Sequence, residues 1–409
     1  MIKSRDLIIH FSLRSRGLLP TSKDTATMSM NFGLTSEQEA MLHHVRTLLD
    51  DVCTMEYAAK CDAALTPPRE AFNALAKNGW LGLIAPEEYG GASGTPTDLA
   101  LLLEETGNHF EELGLWLFRN FTYGCYAVLK HGTDEQKQRI VPGVVKGELS
   151  FAFALTEPDS GSDAAALRTR AVIDGDHFVV NGRKQFTSGM DIADYALVAL
   201  RTNDLGKKQL GISTLLVPTK LPGIEVRKIP TLGQHAIGTT EVTFTNVRVP
   251  RTALLGQLDQ GWSICEDTLR YERLCLSAVR IGAARRAFEF ALEYAKTRHQ
   301  FGKPIGSFQV TQHKFADMKV MLDTSWTMIR RYAWLMENDQ AQRADTAVIK
   351  YYIAESYKTI SDMCLQILGG YGYCMEYPMQ RFFRDSRLAT IGGGTSEIQK
   401  NIIAGSLGL

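Results

Sequence analysis

An α+β fold, helical at both ends with strands between, is what the residue periodicity predicts, and two changes of period carry that prediction. Apolar residues recur at helical spacing from Thr35 to about Gly147, shift to strand-like runs near Ser150, and return to helical spacing after Gly261. The expected divisions are an extension over 1–29, an N-terminal helical domain over 30–149, a middle β domain over 150–255 and a C-terminal helical domain over 256–409. Helices, then strands, then helices is the order of one compact enzyme rather than of separable modules. No internal repeat or low-complexity tract interrupts it.

Residues 1–29 hold Lys3, Arg5, Arg14, Arg16 and Lys23 against only Asp6 and Asp24, with several Ser and Thr. That is the composition of a transit peptide. A start codon placed too early, with translation opening at Met28 or Met30, is the favoured account of it, and either reading predicts a disordered extension. Ser36 followed by Glu39 predicts a capping box, and Met41, Leu42, Val45, Leu48 and Leu49 fall on one helical face. Residues 86–91 and 94–96 read as loops between helices.

In the middle segment, Asp174-Gly175 and Asn181-Gly182 are hairpin-type dipeptides on either side of His177 to Val180. Apolar runs at 195–200, 212–217 and 242–249 are the further strands expected. Beyond Gly261 a stripe through Leu274, Ala278, Ile281, Phe288 and Ala291 restarts the helical period.

Composition bounds the function. The 409 residues carry 44% hydrophobic side chains, enough for a sizeable core, and 45 basic against 45 acidic residues, so no net field draws the chain to nucleic acid or an anionic membrane. Seven cysteines without CxxC spacing predict reduced thiols, mostly core filler. No apolar run reaches the roughly 18 residues of a membrane span. The nine histidines show no metal-ligand spacing, His43 and His44 read as surface residues, and no GxGxxG follows a βαβ pattern.

Five motifs stand in order: TEPDSGSD at 156–163, RHQFGKPIGSFQ at 298–309, QILGGYGY at 366–373, RFFRDSR at 381–387 and GGGTSEIQ at 392–399. Each has a plain reading when taken alone. The first is a strand-to-loop junction rich in small residues, Arg298 is a solvated charge at a helix C-terminus, and Phe186 is β-domain core. Glu272 beside Arg273 is, by itself, a solvated helix pair.

Taken jointly, from Met30 to the C-terminus, the motifs resemble the acyl-CoA dehydrogenases. The resemblance implies an N-terminal helical domain, a β-barrel-like middle domain and a C-terminal four-helix bundle. It implies bound FAD, with Phe153, Ala154, Leu155 and Thr156 along the flavin ring and Ser162 at the flavin and thioester boundary. Phe186, Thr187 and Ser188 form its second flavin segment. Arg298 and Gln309 go by the same match to the pyrophosphate and adenosine half, and Gln366, Ile367, Leu368, Gly369 and Gly370 to the dinucleotide across a subunit interface, with Thr395 and Glu397 beside the cofactor. A homotetramer built as a dimer of dimers follows from contacts that cross protomers. Asp159-Ser160 departs from the commoner Gly-Ala of the first motif, and Ser188 from a threonine.

Many members of the family carry their catalytic glutamate two residues before the threonine of the late turn. Here that position is Gly393, which moves no proton. In the isovaleryl-CoA and long-chain branches the glutamate sits on a helix directly before an arginine, and Glu272-Arg273 resembles that arrangement. The resemblance therefore implies Glu272 as the base for the α proton, its pKa raised by burial, with hydride passing from the β carbon to flavin N5. A ribityl hydroxyl and the N–H of Gly393 are the implied oxyanion donors. Tyr271, Arg273, Gly393 and Gly394 are placed around the acyl-CoA, and Gly392 to Gly394 leave room for a branched or substituted chain. The implied activity is α,β-dehydrogenation of a short, medium or branched acyl-CoA in a cytoplasmic β-oxidation step, with electrons passed to electron-transferring flavoprotein; a transit peptide would move it to the mitochondrial matrix. Other readings are a crotonobetainyl-CoA-like reductase, a flavin oxidase or monooxygenase, and a non-catalytic CoA-binding relative.

Overall fold

The computed structural model describes residues 32–409, so the expectations for 1–29 lie outside the described residues. Helices α1 (Ser36–Val52), α2 (Met55–Ala64), α3 (Arg69–Lys77), α4 (Pro96–His109), α5 (Glu111–Arg119), α6 (Ala127–His131) and α7 (Asp134–Val145) form the N-terminal part. The capping box of α1 lies one residue earlier than Ser36 and Glu39 predict. Thr35 Oγ1 accepts from Gln38 N, and Gln38 Oε1 accepts from Thr35 N. The register that wins is the one that frees Gln38 Nε2 to donate to Asp98 Oδ1 at 2.8 Å, tying α1 to the first turn of α4. Between α5 and α6 the chain widens into a π-helical turn over Asn120–Tyr126, nearly all of it buried.

The middle part is one eight-stranded sheet of β1 (Phe151–Ala154), β2 (Arg170–Asp174), β3 (His177–Ser188), β4 (Tyr195–Arg201), β5 (Ile212–Pro218), β6 (Ile224–Ile229), β7 (Thr239–Pro250) and β8 (Leu254–Leu255). Its order is β6-β7-β3-β2-β4-β5-β8, with β1 parallel to β4. Asp174-Gly175 does turn the chain from β2 to β3. Asn181-Gly182, expected as a second turn, instead lies inside β3 at a shift of register against β7. Gly182 has φ +147°, and a Cβ there would fall 2.6 Å from Thr169 Cα, so the glycine marks a bulge and a close backbone approach.

The C-terminal part consists of α8 (Gly261–Thr297), α9 (Gln309–Glu337), α10 (Arg343–Leu368), α11 (Met379–Ala389) and α12 (Ser396–Ser406). The expected stripe on α8 faces the core, and α4 lies along it at unusually close range. A Cβ on Gly282 would fall 1.9 Å from Glu104 O, and one on Gly107 2.1 Å from Val279 O, so glycine on each helix admits the other's backbone. All seven cysteines are unpaired; six are buried and Cys374 is exposed. His43 and His44 are exposed. Among the described residues no helix is long and apolar enough to cross a membrane.

One buried ion pair joins the first motif to the sheet. Lys184 Nζ, wholly inaccessible to solvent, donates at 2.9 Å both to Glu157 Oε1 and to Leu155 O. Glu157 also accepts from Arg168 N at 2.6 Å and Thr169 N at 2.8 Å. The glutamate of the TEP triplet thus fastens the loop back on β3. Replacing Lys184 with Met leaves that carboxylate buried without its cation. Urea unfolding is expected to show a loss of about 3 kcal/mol or more, and a variant as stable as the parent would contradict this.

Candidate active site

Three segments distant in sequence converge on Glu272. The carboxylate projects from α8 and is almost wholly buried, only 6% exposed. Tyr123, from the π-helical turn, donates its hydroxyl to Glu272 Oε2 at 2.8 Å. The late turn closes the other side: a Cβ built on Gly393 would lie 3.6 Å from Glu272 Oε1, 3.2 Å from Leu276 Cδ1 and 4.0 Å from Lys350 Cε. The helical carboxylate and the turn position that lacks one therefore face the same small volume. The solvated-pair reading of Glu272 and Arg273 does not hold, since both side chains are buried.

The turn itself is stitched in place. Arg273 Nε donates to Gly393 O at 3.2 Å, Gln399 Nε2 donates to Gly393 O at 3.2 Å and to Gly394 O at 3.0 Å, and Lys350 Nζ donates to Gly394 O. Gly393 and Gly394 adopt φ +69° and +88°, the left-handed region that glycine enters freely. Burial pushes the Glu272 pKa above the ordinary carboxylate value, opposed by the Tyr123 hydrogen bond and by the charges of Arg273, Arg280 and Lys350. Burial, with Arg280 and Arg273 nearby, lowers the Lys350 ammonium to about 7.

Phe153, half-buried at the end of β1, stacks on Tyr123 with ring centroids 4.9 Å apart and links the first motif to this cluster. Ala154 and Leu155 are buried, Thr156 is half-buried and Ser162 is exposed. Gln185 N donates to Thr156 O at 2.8 Å, so the two expected flavin segments adjoin. Phe186 is not core: it is 61% exposed and held at φ +58°. Thr187 is buried, and its Oγ1 has no hydrogen-bond partner among the described residues, while Ser188 Oγ lies 3.3 Å from Thr239 Oγ1. An exposed aromatic face, an unsatisfied buried hydroxyl and the nearby hydroxyls of Thr156 and Ser188 suit a flat ligand with polar edges. Tyr271 is buried and stacked on Tyr126 at 4.0 Å between centroids.

A second group stands apart. Arg298 caps the far end of α8, about 39 Å along the helix axis from Glu272 by helical rise. It is exposed and its guanidinium lies 5.5 Å from the centre of the Tyr371 ring. Gln309, Gln366, Gly369 and Gly370 are exposed, Ile367 is half-buried and Leu368 buried. Thr395 accepts from Ile398 N as the cap of α12, and Glu397 in its first turn is exposed.

Family models for the acyl-CoA dehydrogenase N-terminal, middle and C-terminal domains match residues 35–148, 152–247 and 259–408. The chain belongs to the acyl-CoA dehydrogenase family. It is 36% identical to a probable acyl-CoA dehydrogenase, YngJ, of Bacillus subtilis, over 92% of this chain and 100% of that protein. It is 32% identical to CarC, a subunit of the caffeyl-CoA reductase-Etf complex of Acetobacterium woodii, over 91% and 98%. Butyryl-CoA dehydrogenase of Megasphaera elsdenii superposes with a TM-score of 0.88 at 29% identity, covering 93% of this chain and all of that one. An FAD complex of PigA superposes at 0.87 and 30% identity, covering 93% and 100%. The chain is thus an oxidoreductase of the family that acts on acyl-CoA, with FAD as cofactor.

Sequence reasoning missed Tyr123, Lys350, Gln399 and Glu157. Tyr123 and Lys350 sit on buried helical positions, where spacing predicts core and nothing local reports a polar partner 149 residues away. Glu157 lay inside a recognised motif but was not assigned its structural task.

Gly393→Ala tests how tightly the turn is held. The substitution forces a side chain into left-handed backbone and against Leu276, at a cost of about 1–2 kcal/mol. A lowered melting temperature is expected, and an unchanged one would show that the turn yields.

Proposed function

We propose that the chain removes the α proton and β hydride of an acyl-CoA, with Glu272 as the base. The observation that carries the reading is the meeting of the buried Glu272 carboxylate with the Gly393 turn. Bound FAD supplies the hydride acceptor. Glu272 accepts the α proton, the N–H of Gly393 steadies the negative charge that grows on the thioester oxygen, and Arg273 holds the Gly393 carbonyl so that the N–H keeps its direction. Phe153, Thr156, Phe186, Thr187 and Ser188 form the flavin side of the site, and Ser162 with Tyr271 and Gly394 the thioester side. Water is kept from the base by Tyr123, hydrogen-bonded to it, and by Leu276 one turn along α8, both buried.

Residue 393 brings no side chain into the volume beside Glu272 Oε1, and a short, medium or branched acyl chain is the substrate class proposed for it. Similarity to a subunit of a reductase-Etf complex supports electron-transferring flavoprotein as the partner, and it favours a second reading in which the same site runs as an enoyl-CoA reductase. Anaerobic titration separates the two: acyl-CoA bleaches the oxidised flavin in the first, and an enoyl-CoA reoxidises the reduced flavin faster in the second. Seven unpaired thiols suit a reducing compartment such as the cytoplasm, and β-oxidation is the pathway class to which the step belongs.

Glu272→Gln is expected to retain FAD and to lose bleaching by at least roughly 100-fold, the usual share of a general base. In the parent, the base works only when ionised. Because its pKa is raised, bleaching is expected to fall off as pH drops through that raised value, above the ordinary carboxylate range. Near-parental bleaching by Glu272→Gln removes Glu272 from the mechanism.

A homotetramer is supported by the second group of residues. Arg298 lies about 39 Å from Glu272 along α8 by helical rise, and Tyr371, next to the 366–370 segment, packs on its guanidinium, which fits a cofactor shared between protomers. Around them Phe301 is 93% exposed and Tyr373 85% exposed. Phe301→Asp is expected to yield smaller particles with less bound FAD by light scattering and absorbance; a tetramer with full FAD would exclude this face from assembly.

A further inference from the structure

Tyr123 is the one residue outside α8 whose side chain is hydrogen-bonded to the Glu272 carboxylate among the contacts found in the described residues. It reaches that position because the chain between α5 and α6 is wound as a π-helical turn, a device that re-aims side chains and recurs at functional sites. The ring is locked on both sides. It stacks on Phe153 at 4.9 Å with the planes inclined by 28°, and it meets Phe118 edge-on at 6.0 Å. The neighbouring Thr122 hydroxyl reaches Cys275 Sγ at 3.8 Å, which pins the turn to α8 just under one helical turn from Glu272.

The consequence is an inequality between the two carboxylate oxygens. Oε2 is occupied by the phenol at 2.8 Å, while Oε1 is the atom that faces the Cβ position of Gly393 at 3.6 Å. We propose that Tyr123 is a positioning residue for proton transfer: its hydroxyl fixes Oε2 so that Oε1 points at the late turn and takes the α proton. The inference rests on Glu272 being the base. The proton moves from the α carbon to Oε1, and the phenol keeps its own proton throughout.

The hydrogen bond has a second effect. Burial disfavours the ionised base, and the groups that oppose burial are Tyr123 from the π-helical turn, Arg273 and Arg280 from α8, and Lys350 from α10; Phe153 on β1 brings no charge. Of these, only Tyr123 is hydrogen-bonded to the carboxylate itself.

Tyr123→Phe deletes the hydroxyl and keeps both ring contacts. Expected are unchanged FAD content, bleaching slowed roughly tenfold to 100-fold, the size of a lost hydrogen bond to a charged group, and an acid limb of the pH profile displaced upward. The ionisation is also read without substrate. In infrared difference titrations, the Glu272 acid band, isolated by subtracting Glu272→Gln, should titrate at higher pH in Tyr123→Phe than in the parent. If the phenol served packing alone, phenylalanine would restore rate, pH profile and infrared midpoint, and that result overturns the proposal while leaving the base intact. A parent protein whose flavin no thioester bleaches overturns the base and this inference together.

Discussion

A carboxylate held out of water is the constraint around which the helical parts of the chain are arranged. Leaving Glu272 ionised and buried without partners would cost several kcal/mol, and its surroundings answer that cost piece by piece. The phenol of Tyr123 hydrogen-bonds one oxygen, and Arg273, Arg280 and Lys350 supply positive charge nearby without forming an ion pair with it among the described residues. The cations are in turn committed elsewhere: Arg273 and Lys350 donate to the carbonyls of Gly393 and Gly394. Two of the groups that tune the Glu272 carboxylate, Arg273 and Lys350, also hold the loop beside it.

Comparable care is taken where the sheet meets the helices. Glu112 accepts from Ala236 N at 3.0 Å and Ile237 N at 2.6 Å, and Asp385 Oδ1 accepts from Gln234 N at 2.6 Å. Glu111 accepts from Tyr357 Oη at 2.7 Å. All three carboxyls are buried and raised by that burial. They gather the 234–237 segment onto α5 and α11, so that the sheet carrying Phe186 to Ser188 keeps a fixed attitude to the helix carrying Glu272. Loops without side-chain clamps of this kind would let the two halves of the site drift apart.

Much of the architecture is legible in the residues because it depends on local period and on glycine. The two shifts between helical and strand spacing mark where β1 begins and where α8 begins, and the resemblance carried by the motifs led to Glu272 without any contact being known. The failures share a cause. Ser36 and Glu39 satisfy a capping pattern as well as Thr35 and Gln38 do, and the choice is made by Asp98, some sixty residues away. Asn181-Gly182 has hairpin composition, yet Thr169 decides that it is a bulge. Tyr123 looks like any buried aromatic until Glu272 is placed against it. β6 was not anticipated, since it is an outer strand in which no residue is fully buried and which pairs only with β7.

The proposal that the base stands on the helix rather than on the turn rests on one distance. With Glu272 Oε1 only 3.6 Å from the place where a Cβ at residue 393 would begin, the two positions deliver an acid to the same volume. Two carboxylates there would repel, and one of them would be kept protonated at neutral pH. A glutamate on the turn is therefore unwelcome once the helix supplies one. Its replacement by glycine also relieves the left-handed backbone at φ +69°. Because both positions open on the same atoms, a carboxylate can change its place in the sequence while its place in space stays nearly the same.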